Sequence, residues 1–208
     1  MIRNVVFDMG GVLIQFDPEE FMTREGILDP ADRKIIREEV FRSVEWAQMD
    51  LGVMTEETMA PRVRARVPEH LKEKAVYLLR NWCYPRKMIP GMESLVRRLK
   101  KGGYGIYLLS NASVNQPTYW NALPVSSQFD GTLVSAFVKV VKPNPVIYRL
   151  FTEEFHLREE ECVFIDDATI NVAGAIACGW QGIVFHGDAD QAERKLREMG
   201  LMFPEKDA

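Results

Sequence analysis

Apolar residues fall into two patterns along the chain. Short runs with little polar interruption, at Val5–Asp8, Gly105–Ser110, Leu133–Phe137, Val163–Asp166 and Gly182–Phe185, predict strands. The second run, Gly-Ile-Tyr-Leu-Leu-Ser, is nearly all apolar, as a strand buried on both faces must be. Between the runs the apolar spacing lengthens to three and four residues. Met92, Leu95, Val96 and Leu99 mark a helix over Met92–Lys101 that stops at Gly102-Gly103. Val146, Ile147, Leu150 and Phe151 mark another over Pro143–Phe155, after the break at Lys142-Pro143, and Asp190–Met199 predicts a last amphipathic helix ending at Gly200. Strands alternating with helices argue for βαβ units and a parallel sheet.

One stretch breaks the alternation. From Pro18 to Lys87 no strand pattern occurs, and helices are predicted over Glu19–Gly26, Ala31–Trp46, Glu56–Arg66 and Glu69–Trp82, with Pro61 expected to kink or restart the third. The expected fold class is therefore α/β. Residues 1–17 and 88–208 form a Rossmann-like, three-layer parallel-sheet core, and residues 18–87 are an all-helical insertion.

Composition narrows the partners. Of 208 residues 47% are hydrophobic, enough for a sizeable core. Lys and Arg number 26 against 30 Asp and Glu, so the net charge of -4 gives no field to gather nucleic acid or an anionic membrane. Cys83, Cys162 and Cys178 form no C-x-x-C pair, which disfavours a disulfide framework or a zinc knuckle and fits a reducing cytoplasm. Val5–Phe7 is too short for a signal-peptide core, and no run approaches the roughly 20 apolar residues of a membrane helix. A soluble, cytoplasmic, unprocessed chain is expected.

In an open parallel sheet, ligands bind beyond the carboxyl ends of the strands, where the strand order reverses. Behind the first predicted strand stands Asp8-Met9-Gly10-Gly11; behind the second, Ser110-Asn111; behind the third, Lys142-Pro143; and the fourth ends in Asp166-Asp167. Each piece alone has an ordinary structural use. Asp-x-Gly-Gly makes a turn, Ser-Asn and Asp-Asp cap helices, and a lysine before a proline is commonly solvated. Two adjacent carboxylates on a buried strand end are harder to explain that way, because like charges placed together cost energy without a cation. Together the residues suit an oxygen-only site for a hard cation such as Mg²⁺, with a phosphate completing its shell.

The segments VVFDMGGVL at 5–13, YLLSN at 107–111, VKPNPVIY at 141–148 and VFIDDATINVAGAIACGW at 163–180 resemble, in this order, the motifs of the haloacid dehalogenase (HAD) superfamily of phosphohydrolases. The insertion is similar to the small helical cap of one subgroup. Within that subgroup the start of the chain and the stretch Trp46–Gly52 are similar to bacterial α-glucose-1-phosphate phosphatases and their relatives. The resemblance implies a Mg²⁺-dependent phosphatase acting on a small phosphorylated metabolite, a sugar phosphate such as a sugar 1-phosphate. Asp8 would be the nucleophile, forming an aspartyl-phosphate that water hydrolyses. Asp8, the backbone carbonyl of Gly10, Asp166 and Asp167 would hold the metal. Ser110, the Asn111 backbone and Lys142 would bind the phosphoryl group, and Trp46 and Asp50 the rest of the substrate.

The chain departs from the family at one position. Most phosphatases of the superfamily carry a second Asp two residues after the nucleophile, as general acid and base; here that position is Gly10. Such assistance is worth about 10²–10⁴-fold, so its loss weakens catalysis without abolishing it. It favours leaving groups that tolerate negative charge, such as an anomeric oxygen, unless Asp17, Glu45 or Asp50 supplies the proton. Two rival functions follow: a 2-haloacid dehalogenase-like hydrolase, and a catalytically weak member that binds a phosphorylated ligand or a protein partner. The doubled Asp166-Asp167 argues against the first, and the retained Asp8, Ser110, Lys142 and Asp166 against the second.

Other features have plainer readings. His70, His156 and His186 lack metal-like spacing, and Arg97, Arg98, Lys100 and Lys101 end a helix, where its dipole favours cations. Trp46, Trp82, Tyr84, Tyr119 and Trp120 are candidates to line a cleft between insertion and core, Trp46 foremost.

Overall fold

Val5, Val6 and Phe7 are fully buried, which consecutive strand residues achieve only in the middle of a sheet covered on both faces. A computed structural model describes residues 1–82 and 84–206; Cys83 lies outside them. The chain runs β1 (Asn4–Phe7), α1 (Pro18–Arg24), α2 (Pro30–Ile36), α3 (Val44–Asp50), α4 (Glu56–Arg66), α5 (Lys72–Asn81), α6 (Met92–Lys101), β2 (Gly105–Ser110), α7 (Gln116–Trp120), β3 (Gly131–Val134), α8 (Ser135–Val138), α9 (Pro145–Glu154), β4 (Cys162–Asp166), α10 (Thr169–Ala177), β5 (Gln181–Val184) and α11 (Ala189–Glu198). The five strands form one parallel sheet in the order β3-β2-β1-β4-β5.

Alternate side chains sort to opposite faces. Val5, Phe7, Ile106, Leu108, Val163 and Ile165 pack with Leu95, Val96 and Leu99 of α6 and Leu196 of α11. Val6, Leu109 and Phe164 pack with Ile147, Tyr148 and Phe151 of α9. Helices α1 to α5 bury a separate apolar cluster drawn from residues between Phe21 and Leu79.

Three boundaries differ from the sequence reading. The third strand begins at Gly131 and ends at Val134, and residues 135–138 form a helical turn. There the Ser135 hydroxyl accepts from the Ala112 N–H and donates to the Asp50 carbonyl, two tertiary bonds that a local pattern does not contain. The helix expected over Ala31–Trp46 divides. α2 runs on as a π-helical turn over residues 37–41, and Ser43 then caps a new helix, α3. The helix does not restart at Pro61: α4 passes through it, started by a reciprocal Thr55–Thr58 capping box and held by buried Met59, Ala60 and Val63.

Three of the four cations in the basic run of α6 are paired. Arg98 is buried against Glu193 of α11, Arg97 pairs with Glu93, and Lys100 with Asp130. Among the described residues no helix is long and apolar enough to cross a membrane.

Candidate active site

β1 lies at the centre of the sheet, and the strand order reverses there, so the carboxyl ends of β1, β2 and β4 border one crevice. Asp8 follows β1, Ser110 ends β2, and Asp166 and Asp167 end and follow β4. Lys142 reaches in from the loop before α9. Its ammonium lies 2.8 Å from Asp8 Oδ1 and 2.7 Å from Asp166 Oδ2, and donates to the Leu109 carbonyl at 3.0 Å. Burial opposes the charge on Lys142, but the two carboxylates outweigh it and push its pKa up.

Asn111 positions this lysine. Its Oδ1 accepts from the Lys142 N–H at 2.8 Å, and its Nδ2 donates to the Lys142 carbonyl at 3.1 Å. The Asn111 side chain is thus committed to Lys142, which leaves its backbone for the phosphate contact expected of it. Asp166 is fixed in the same manner, accepting from the Ala168 N–H and from Asn171 Nδ2.

Carboxylate oxygens of Asp8, Asp166 and Asp167 lie within 4.8 Å of one another. The set is all oxygen, as a hard divalent cation requires. Its electrostatics agree. Burial pushes the Asp8 carboxyl up to about 7 against the pull of Lys142, and the nearby Asp166 adds to the rise. Asp167 is also raised, by burial and then by Asp166. Three carboxylates facing one ammonium leave an excess of negative charge that a bound cation would cancel. The donor set therefore fits Mg²⁺. The turn above it needs glycine at Gly11, where φ is +77° and a Cβ would stand 2.4 Å from Asp167 Oδ2. Position 10 has no such constraint, since a Cβ there would meet only Phe16 at 3.6 Å.

The crevice opens into a cavity of about 200 Å³. Its floor is Asp8, Gly10, Ser110, Asn111 and Asp167; its far wall is Trp46, Met49, Asp50, Glu56 and Leu79 from the inserted helices, with Phe16, Trp82 and Tyr119 at the sides. The aromatic rings touch in series: Phe16–Trp46 at 6.2 Å, Phe16–Trp82 at 5.1 Å and Trp82–Tyr119 at 5.6 Å between centroids. All nine predicted site residues are accordingly brought to the crevice: Asp8, Gly10, Trp46, Asp50, Ser110, Asn111, Asp166 and Asp167 border it or its carboxylate cluster, and Lys142 lies beneath. Of the other aromatic candidates, Trp120 is buried against Phe129 in the core, and Tyr84 lines a neighbouring cavity. Sequence reasoning missed Phe16 and Glu56. Glu56 accepts from Ser113 Oγ and Asn115 Nδ2, both at 2.6 Å, and so ties the start of α4 to the loop after β2. Nothing local marks it apart from any first-turn glutamate.

The sequence profile of the haloacid dehalogenase-like hydrolases matches residues 2–179. The chain belongs to the HAD-like hydrolase family. Two curated relatives of this HAD-like hydrolase are a flavin mononucleotide hydrolase of Arabidopsis thaliana, 26% identical over 75% of this chain and 62% of the relative, and a sesquiterpene phosphatase of Aspergillus oryzae, 25% identical over 87% of this chain and 88% of the relative. The chain thus spans less than two thirds of the first relative. Its fold is similar to that of a HAD family enzyme from Bacteroides thetaiotaomicron in complex with magnesium and inorganic phosphate, with a TM-score of 0.67 and 23% identity over 93% of this chain and 99% of that one.

Proposed function

We propose that this HAD-like hydrolase is a Mg²⁺-dependent phosphatase of a small phosphorylated metabolite. The observation that carries the proposal is Lys142, buried between Asp8 and Asp166, beside Asp167 and the end of β2. Mg²⁺, held by Asp8, the Gly10 carbonyl, Asp166 and Asp167, would supply the charge neutralisation that lets a carboxylate approach an anionic phosphoryl group. An Asp8 oxygen attacks phosphorus, the bond to the leaving oxygen breaks, and water then cleaves the aspartyl-phosphate. Ser110, the Asn111 backbone and Lys142 hold the phosphoryl oxygens, and the side chain of Asn111 keeps Lys142 in line.

The aromatic wall supports a substrate whose leaving alcohol has a planar or apolar body. The sugar 1-phosphate expected from the sequence would bring several hydroxyls to a mainly aromatic and aliphatic wall, where Glu56 is already bonded on both oxygens and Asp50 is the carboxyl left to receive them. The two curated relatives, named for a flavin nucleotide and for sesquiterpenes, support the same preference. A dehalogenase is the weaker reading, because a site that works without a metal has no use for Asp167 beside Asp8 and Asp166.

Hydrolysis of p-nitrophenyl phosphate by the purified chain tests the activity. Turnover with Mg²⁺, loss of it in EDTA, and background rates in Asp8→Asn are expected; turnover unaffected by EDTA or by the substitution contradicts the proposal. With Mg²⁺ present, kcat/KM for flavin mononucleotide should exceed that for glucose 1-phosphate by about tenfold or more, the scale of pocket discrimination.

A further inference from the structure

Four carboxyl groups line the catalytic cavity: Asp8, Asp167, Glu56 and Asp50. Asp8 and Asp167 belong to the metal cluster, and Glu56 is bonded on both oxygens. Asp50 alone of the four has a side chain with no hydrogen-bond or ion-pair partner among the described residues, although its backbone is firmly held. The Asp50 carbonyl accepts from Ser135 Oγ at 2.6 Å, and that oxygen accepts from the Ala112 N–H, two residues beyond Ser110. The turn after Asp50 is pressed onto the core at Gly52, whose φ is +68° and whose carbonyl accepts from the Lys139 ammonium. A firmly held backbone therefore places one uncommitted carboxyl in the lining of the cavity that also holds Asp8 and Ser110.

We propose that Asp50 is the general acid, and then the general base, of this site. The inference rests on the phosphatase reading above. When an Asp8 oxygen bonds to phosphorus, the electron pair of the breaking P–O bond goes to the leaving oxygen, and the Asp50 proton goes with it, releasing a neutral alcohol. Asp50, now a carboxylate, takes a proton from the water that attacks the aspartyl-phosphate; inorganic phosphate and the Asp8 carboxylate leave, and Asp50 is protonated again. The charged groups acting on Asp50 are Asp8, Lys142 and Glu56. Burial, and next the charge of Asp8, push its carboxyl up to about 7 against the pull of Lys142. The other two acids considered from the sequence are engaged elsewhere: Asp17 caps α1 and Glu45 pairs with Arg66.

The test compares leaving groups, using the full chain with Mg²⁺. p-Nitrophenolate leaves without a proton, whereas the alkoxide of phenethyl phosphate does not. In Asp50→Asn, phenethyl phosphate turnover should fall by about 10²-fold or more. On p-nitrophenyl phosphate the same variant should release a first equivalent of nitrophenolate within about tenfold of the wild-type rate, then turn over slowly as aspartyl-phosphate accumulates. Asp50→Glu should recover part of the phenethyl rate. A structural role for Asp50 would slow both first steps alike, and that result, or an unchanged phenethyl rate, overturns the inference alone. A wild type that hydrolyses neither ester overturns the phosphatase reading and this inference with it.

Discussion

At the scale of single residues, the site is an electrostatic balance around Lys142. Its ammonium is almost fully buried and faces two carboxylates at 2.7 and 2.8 Å. Breaking a buried pair by removing one partner costs about 3–5 kcal/mol, because the other charge is left uncompensated. Lys142→Met should lose stability of that order in urea unfolding, and Mg²⁺ should restore part of it by neutralising Asp8 and Asp166. A variant as stable as the wild type without metal would mean that the two carboxylates do not depend on the lysine. Asn111 acts one step further out. Its side chain hydrogen-bonds the Lys142 backbone, so its replacement should misplace the ammonium rather than remove it.

At the scale of elements, the α3–α4 turn fastens the inserted helices to the sheet. Three points do this: Asp50 on Ser135, Gly52 on Lys139, and Glu56 on Ser113 and Asn115. At Gly52 a Cβ would stand 2.0 Å from the Ala136 carbonyl oxygen. Gly103 shares the left-handed backbone, with φ +85°, but has nothing within 4 Å. Gly103→Ala should therefore cost about 1–2 kcal/mol of backbone strain and leave KM unchanged. Gly52→Ala should cost more and raise KM, because the turn carrying Asp50 must move; equal effects of the two would refute the fastening role. This turn also shows where sequence reasoning stopped. The helices with regular apolar spacing, such as Met92–Lys101, were readable to the residue because their burial is set by their own periodicity. α8 was hidden inside an apparent strand, and the start of α3 inside an apparent longer helix, because Ser135 and Ser43 decide those boundaries through side-chain bonds, one of them across 85 residues.

At the scale of the whole molecule, a central strand flanked by β2 and β4 gathers three loops that are far apart in sequence, and their residues were legible because each follows directly on a buried strand. The order of motifs, not any one of them, carried that reading. The opposite wall was legible only as Trp46 and Asp50. Phe16 and Glu56 enter through packing between the insertion and the core, which no local pattern encodes. On the proposed reading, the sheet supplies the nucleophile and its phosphate contacts and the helices supply the cavity wall, with Asp50 as the acid from that wall.

In the proposed reaction Asp8 takes the phosphoryl group. Acid quenching during steady turnover of p-nitrophenyl phosphate with Mg²⁺, followed by proteolysis and mass spectrometry, tests it directly. Phosphate is expected on the peptide containing Asp8, in greater yield in Asp50→Asn and absent in Asp8→Asn. Full turnover with an unmodified Asp8 peptide, or phosphate carried on another residue, would contradict it.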